Sequence, residues 1–260
     1  MLKDTISMYY NKVSRSYDTG REASIETFEK VVRLLNIDNE SVILDMGCGT
    51  GNYTSALQPV SKNVIGIDLS EGMLEQARAK HVNLVYGDIT QLPLKSETFD
   101  GALAMQVLHH VGEKEQFLSE AHRVLRKQAA VAIHTCSHQQ IKTFWLYHYF
   151  PRGLVVDLAR IPDLQEIISL LEKVGFSDVD IEICYQNIVI DETPERYLDK
   201  DYHNSSSTFA FLAEEDIESG CDKIRRESQS GAAIDIVREA EARIAGEVGG
   251  STIIYGRKAG

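Results

Sequence analysis

Three glycines on alternate positions, Gly47, Gly49 and Gly51, stand in the stretch LDMGCGTG behind a short apolar run that Asp45 closes. Glycines in a strand-to-helix turn let backbone come close to a bound molecule. A dinucleotide turn spaces its glycines as G-x-G-x-x-G, whereas the pattern here is G-x-G-x-G. A pyrophosphate has no use for a carboxylate beside it, but a ligand carrying an ammonium or sulfonium charge does. Asp45 therefore turns the expectation away from a dinucleotide and towards a cationic ligand. Two further acids follow. Asp68 ends the segment NVIGID, where a carboxylate can accept from both hydroxyls of a ribose. Asp88, in GDITQLP just past the next apolar segment, can accept from an adenine amino group. All three fall at the carboxyl ends of strand-like segments, the place where open α/β sheets bind ligands.

Other residues could carry the reaction itself. His109 and His110 end a fourth apolar segment, a place for catalytic groups or for the cap of a following helix. In HTCSH, an extended strand would put His134, Cys136 and His138 on one face as a soft-metal triad. The strand is expected to end near Thr135, and no fourth ligand has a recognisable spacing, so the expectation is no metal, with the histidines bordering a pocket. Tyr10 and Tyr17 are seven residues apart and fall on one helical face. The aromatic run Phe144, Trp145, Tyr147, His148, Tyr149, Phe150 reads either as the lining of an apolar pocket or as ordinary packing. It lacks the basic face of a membrane-surface helix.

The elements that must position these residues alternate regularly. SVILDM (41–46), NVIGID (63–68), VNLVYGD (82–88), FDGALAMQ (99–106) and AAVAIHT (129–135) read as strands. Helices follow the first two, one stopped by Pro59 and one begun by Ser70 as N-cap. EKEQFLSEAHRVLRK puts Phe117, Leu118, Ala121, Val124 and Leu125 on one helical face. Later, DLQEIISLLEKVGF reads as a helix closed by Gly175, SDVDIEIC as a strand, and STIIYGR (251–257) as the last strand. This alternation predicts an α/β fold with a doubly wound, mostly parallel, seven-stranded sheet. The expected organisation is one domain over 1–260: an N-terminal extension (1–40), a half that carries the glycine turn and the three acids (41–136), two insertions (137–162 and 187–230) and the final strand.

Bulk properties narrow the partners. The formal charge of −12 disfavours broad binding to nucleic acid. The N-terminus reads as no signal peptide, no apolar run has membrane-spanning length, and Cys48, Cys136, Cys184 and Cys221 form no disulfide framework. The expectation is a cytoplasmic protein, a monomer or homodimer, that contacts neither membrane nor nucleic acid.

VILDMGCGTG, IGIDLSEGML, GDITQLPLKSETFD and ALAMQVLHHV resemble successive motifs of the class I S-adenosylmethionine-dependent methyltransferases, in particular the branch of the ubiquinone and menaquinone methyltransferases. The resemblance runs from about Tyr10 to Cys136 and returns weakly at the last strand. It implies a Rossmann-like methyltransferase fold, S-adenosylmethionine as cofactor and a small-molecule acceptor. It also implies a helical lid for 1–40, a cofactor-binding half for 41–136 and acceptor-side insertions for 137–162 and 187–230. It further implies that Gly47, Cys48, Gly49 and Gly51 lie against the methionine portion, with Asp45 near its ammonium group. Asp68 would hold the ribose diol, Leu69 and Met73 would pack on the adenine, and Gly87, Asp88 and Ile89 would border and read its edge. Gln106 would line the floor near the sulfonium, while Tyr10 and Tyr17 would form a lid. If the acceptor must lose a proton, His109, His110, His134 and Tyr17 are the candidate bases. One departure stands out: KQAA follows RVLR where the family has a Pro-Gly-Gly turn. A non-catalytic binding module of the same fold is the alternative. Glycine spacing speaks against a dehydrogenase. Charge and the lack of an N/D-P-P-Y tetrapeptide speak against a nucleic-acid methyltransferase.

Overall fold

Neighbouring residues of the strand Val42–Met46 (β1) are buried in succession because both faces of that strand are covered. Side chains alternate along a strand, so Ile43 enters one hydrophobic cluster while Leu44 and Met46 enter another. The computed structural model describes residues 9–11, 13–14, 23–185, 193–203 and 206–260. Its strands are β1, β2 (Asn63–Asp68), β3 (Asn83–Tyr86), β4 (Phe99–Met105), β5 (Leu125–Thr135), β6 (Phe176–Cys184) and β7 (Ser251–Lys258). They form one seven-stranded sheet in the order β3-β2-β1-β4-β5-β7-β6. β7 pairs antiparallel with β5 and β6, and the other pairs are parallel. The expected doubly wound, mostly parallel sheet is the one observed.

Helices cover both faces. α1 (Ile25–Leu34) and α2 (Asn52–Leu57) pack Val31, Leu34 and Leu57 on the face of Ile43 and Leu103. α3 (Glu71–Arg78) starts at Ser70, whose hydroxyl accepts the Met73 N–H at 3.2 Å. On the opposite face, α4 (Lys114–Val124) sets Phe117, Leu118, Ala121 and Val124 against Leu44 and Ile133. Five further helices, α5 (His138–Ile141), α6 (Leu146–Tyr149), α7 (Pro151–Arg160), α8 (Leu164–Lys173) and α9 (Lys200–His203), precede α10 (Glu214–Ser230) and α11 (Ala232–Arg243). No helix among the described residues is long and apolar enough to cross a membrane.

Two particulars depart from the sequence expectations, and a third decides between two readings that the sequence left open. β5 begins at Leu125 rather than near 129, because the β4–β5 register shifts between Phe99 and Gly101. There Gln128 takes φ +65°, a left-handed conformation without the glycine that usually fills it. The second insertion does not end at 230; α11 and a π-helical turn, Ile244–Val248, carry it to β7. Finally, Trp145, Tyr149 and Phe150 pack with Tyr197, Tyr202, Phe209 and Ile224 into a separate small core. Phe150 meets Phe209 edge-on at 4.9 Å and Trp145 meets Tyr197 at 5.6 Å. These three aromatics hold that small core together and are not on the wall of the pocket at the strand ends.

Candidate active site

The turn after β1 is fastened to β2 by two backbone bonds, from Gly47 and Cys48 N–H to the Ile67 carbonyl (2.8 and 3.0 Å). Gly47 has φ +76°, and a Cβ there would lie 2.5 Å from Val107 Cγ2. Only glycine meets both conditions. Gly51, also at φ +76°, serves a different purpose: a Cβ there would come within 3.1 Å of Ala77 Cβ in α3. It lets α2 pack beside α3 and is not on the pocket wall. Cys48 likewise turns inward, filling the space that the missing side chain of Gly66 leaves.

In front of this turn, where the strand order reverses between β1 and β4, lies a pocket with about 820 Å³ of empty space, some of it open to solvent. Its floor and walls come from strand ends: Gly47 and Gly49 after β1, Asp68, Leu69 and Ser70 after β2, Gly87 to Thr90 after β3, and Met105, Gln106 and Val107 after β4. Met73 of α3, Tyr10, and the segment His110 to Gly112 complete it. The mix of apolar walls with a few polar groups at the strand ends suits a small organic ligand.

The three acids hold distinct positions. Asp68 accepts the Gly49 N–H (2.9 Å) on Oδ2 and the Ser70 N–H (2.8 Å) on Oδ1. These bonds fix its plane at the pocket edge, and burial pushes its carboxyl up despite them. Asp88 fixes its own turn, accepting the Thr90 N–H and hydroxyl on Oδ1, both at 2.8 Å. Asp45 lies behind the turn, only 1% exposed and off the pocket wall. Its Oδ2 accepts the Thr54 hydroxyl at 2.6 Å, while Oδ1 is buried with no partner. Burial pushes the carboxyl up to about 7; the Thr54 bond opposes this and the nearby Asp68 adds to it. A buried carboxylate oxygen without a donor is costly. A cationic ammonium group would supply that donor, directly or through a bridging water.

At the other end of the pocket the Tyr10 hydroxyl and His110 Nε2 are 2.6 Å apart, with the rings edge to face. Asn11, beside Tyr10, clamps this segment to the start of α3 by accepting from the Ser70 hydroxyl (2.7 Å) and the Gly72 N–H (2.8 Å). The N-terminal segment thus reaches the pocket through Tyr10, while Tyr17 lies outside the described residues. His109 packs against His110 with ring centroids 4.0 Å apart and planes tilted by 51°, but does not line the pocket.

His134 departs from its expected place as a base bordering the pocket. It is 4% exposed, lies behind Gln106, and hydrogen-bonds to the Ser251 hydroxyl at 2.8 Å. Burial holds its ring down to about 4, so it is uncharged at neutral pH. The triad with Cys136 and His138 does not converge either. His138 has left the strand for the first turn of α5, where its Nε2 donates to the Ile161 carbonyl at 2.8 Å. The pocket wall contains no residue from 137–162 or from the described part of 187–230. The sequence reading missed Ser70, Thr90, Met105, Val107, Val111 and Gly112 on the wall; only the positions of Met105 and Val107, on either side of Gln106 after β4, offered a signal.

Residues 44–133, the stretch that builds this pocket, match the methyltransferase domain family. The chain carries a class I S-adenosylmethionine-dependent methyltransferase domain. It is 30% identical over 135 residues to a malonyl-[acyl-carrier protein] O-methyltransferase of Yersinia pestis, a match covering 51% of this chain and 51% of that protein. The chain thus spans about half the length of that relative. A demethylmenaquinone methyltransferase of Staphylococcus epidermidis is 28% identical over 211 residues, covering 68% of this chain and 87% of its own length. Among solved structures, a candidate methyltransferase from an antibiotic biosynthesis pathway of Anabaena variabilis superposes with a TM-score of 0.78 at 26% identity, covering 91% of this chain and 98% of that one.

Proposed function

We propose that this methyltransferase domain transfers a methyl group from S-adenosylmethionine to a small organic acceptor in the cytoplasm. The observation that carries the reading is the row of acids around one pocket at the strand ends: Asp68 and Asp88 on its wall and Asp45, with a partnerless buried oxygen, behind its glycine turn. These residues fit the cofactor. Asp45 would balance the ammonium group, Asp68 would accept from the ribose hydroxyls, and Asp88 with the Ile89 backbone would meet the adenine edge. Leu69 and Met73 supply apolar surface for the ring. When bound, S-adenosylmethionine supplies a methyl group activated for in-line displacement.

The protein's own contribution is placement and exclusion of water, since aligning nucleophile and methyl group is worth several kcal/mol, on the order of 7–11 at best. Where the acceptor must lose a proton, His110 is the base this geometry favours. It lines the pocket and its Nε2 meets the Tyr10 hydroxyl, whereas His134 is buried and His109 is off the wall. Incubation with methyl-labelled S-adenosylmethionine and pooled small metabolites tests the reading. Label should appear in a low-molecular-weight product, and His110→Ala should lower that rate by about 10²–10⁴. Transfer of label that His110→Ala leaves unchanged would remove the proposed base.

A further inference from the structure

Gln106 is a pocket residue after β4 whose side chain is tied from behind. It follows the last residue of β4 with φ +54°, a left-handed conformation unusual for glutamine, and its backbone N–H donates to the His134 carbonyl at 3.0 Å. Its amide nitrogen faces His134 Nδ1 at 3.4 Å and Cys136 Sγ at 3.9 Å. Behind that, His134 Nε2 meets Ser251 Oγ at 2.8 Å.

Two proton arrangements satisfy such a chain. In one, the Gln106 amide N–H donates to Nδ1, and Nε2–H donates to Ser251. In the other, every bond is reversed, Nδ1–H donates to the Gln106 carbonyl oxygen, and the amide turns its N–H groups to the pocket. The neighbouring groups select between them. Cys136 directs its S–H to the Gly250 carbonyl at 3.7 Å, so the sulfur meets Gln106 as an acceptor, and only the amide nitrogen can serve it. The Ser251 hydroxyl oxygen can accept from Nε2–H in that arrangement. Burial keeps the His134 ring uncharged, so it carries a single proton and this polarity persists at neutral pH. With its nitrogen held inward, the Gln106 side chain has only its carbonyl oxygen to offer the pocket it lines.

We propose that His134 is a positioning residue: through Gln106 it presents a carbonyl oxygen to the reacting end of the pocket, favouring the cationic sulfonium of the cofactor over the neutral thioether left after transfer. The proposal rests on the reading that the pocket holds S-adenosylmethionine. A negative dipole end stabilises an adjacent cation and gains nothing from a neutral sulfur, so its effect is on the ratio of the two affinities rather than on either alone.

Calorimetry of the full chain with S-adenosylmethionine and with S-adenosylhomocysteine measures that ratio. Gln106→Leu should lower the preference for S-adenosylmethionine by about three- to tenfold, the range for one weak charge-assisted contact. His134→Leu should lower it equally and add nothing in the Gln106→Leu background. His134→Asn, whose carboxamide oxygen replaces Nδ1 as acceptor, should restore the ratio to within about twofold of wild type. An unchanged ratio in Gln106→Leu overturns the proposal whatever happens at His134, because that side chain is on the pocket wall and its loss leaves the sheet intact. Equal losses in His134→Leu and His134→Asn, or a like weakening of both ligands, also overturn it and leave His134 a packing role. Wild-type protein that binds neither ligand would instead refute the cofactor reading.

Discussion

Asp45→Asn should stabilise the ligand-free protein while weakening its cofactor site, and the stabilisation should grow with pH. The Asp45 carboxyl sits at about 7 instead of its ordinary 3.8, chiefly because it is buried. In the folded state it therefore holds a proton that the unfolded chain has already released, so stability falls as pH rises from about 4 to about 7. Each pH unit of that gap is worth about 1.4 kcal/mol, which puts the ceiling near 4 kcal/mol. Between pH 5 and pH 8 the ceiling on the change is about 3 kcal/mol, and relaxation around the charge should reduce it to about 1–2 kcal/mol. Asparagine keeps an oxygen for the Thr54 hydroxyl, which Asp45 Oδ2 binds at 2.6 Å, and removes the charge. The assay is urea unfolding of both proteins at pH 5 and pH 8 without ligand. The comparison must be of the difference between the two proteins, because His134, held down to about 4, contributes the opposite slope. Its stabilising effect is present above about 6.5 and is lost as pH falls towards 4, and it cancels in the difference. A difference that is the same at both pH values, within about 0.5 kcal/mol, would show that Asp45 does not carry its proton up to neutral pH, and would refute the argument from burial.

Other outcomes follow from the same geometry. Gly47→Ala should cost at least about 2 kcal/mol of stability and depress cofactor binding, since its Cβ would sit 2.5 Å from Val107 Cγ2 at φ +76°; an unfolding midpoint equal to wild type would contradict this. Gln128→Gly should be neutral to stabilising, by up to about 1 kcal/mol, because relief of a left-handed glutamine exceeds the entropy glycine adds to the unfolded chain. A clear loss of stability in thermal unfolding would show that the bulge, not the side chain's strain, sets that conformation.

The order of the strands was legible because the buried strands read as apolar runs, and some of the helices carry a cap that sequence can show. Ser24, Ser70 and Asp163 all cap the helices they precede. The acids were legible because strand ends are marked by where apolar runs stop. What lay beyond sequence was direction in space. His134 is buried at the end of β5, and only the pairing with β7 puts Ser251 against its ring. Val107 and Val111 line the pocket, yet as apolar residues after a strand they look like any core position. The aromatic run admitted two readings, and packing against Tyr197, Tyr202 and Phe209, far along the chain, decided three of its members. Gln128 shows the limit for turns: a left-handed residue without glycine leaves no mark in the sequence.

The most direct test of the central claim is a calorimetric titration of the wild-type chain and Asp68→Ala with S-adenosylmethionine and with NAD. Asp68 is held by the Gly49 and Ser70 N–H groups at the pocket edge, and its carboxylate is the group assigned to the ribose diol. The account predicts one micromolar site for S-adenosylmethionine, negligible binding of NAD, and a loss of about 1–3 kcal/mol of binding free energy in the variant. NAD bound as tightly as S-adenosylmethionine, or an affinity for S-adenosylmethionine that Asp68→Ala leaves unchanged, would contradict it.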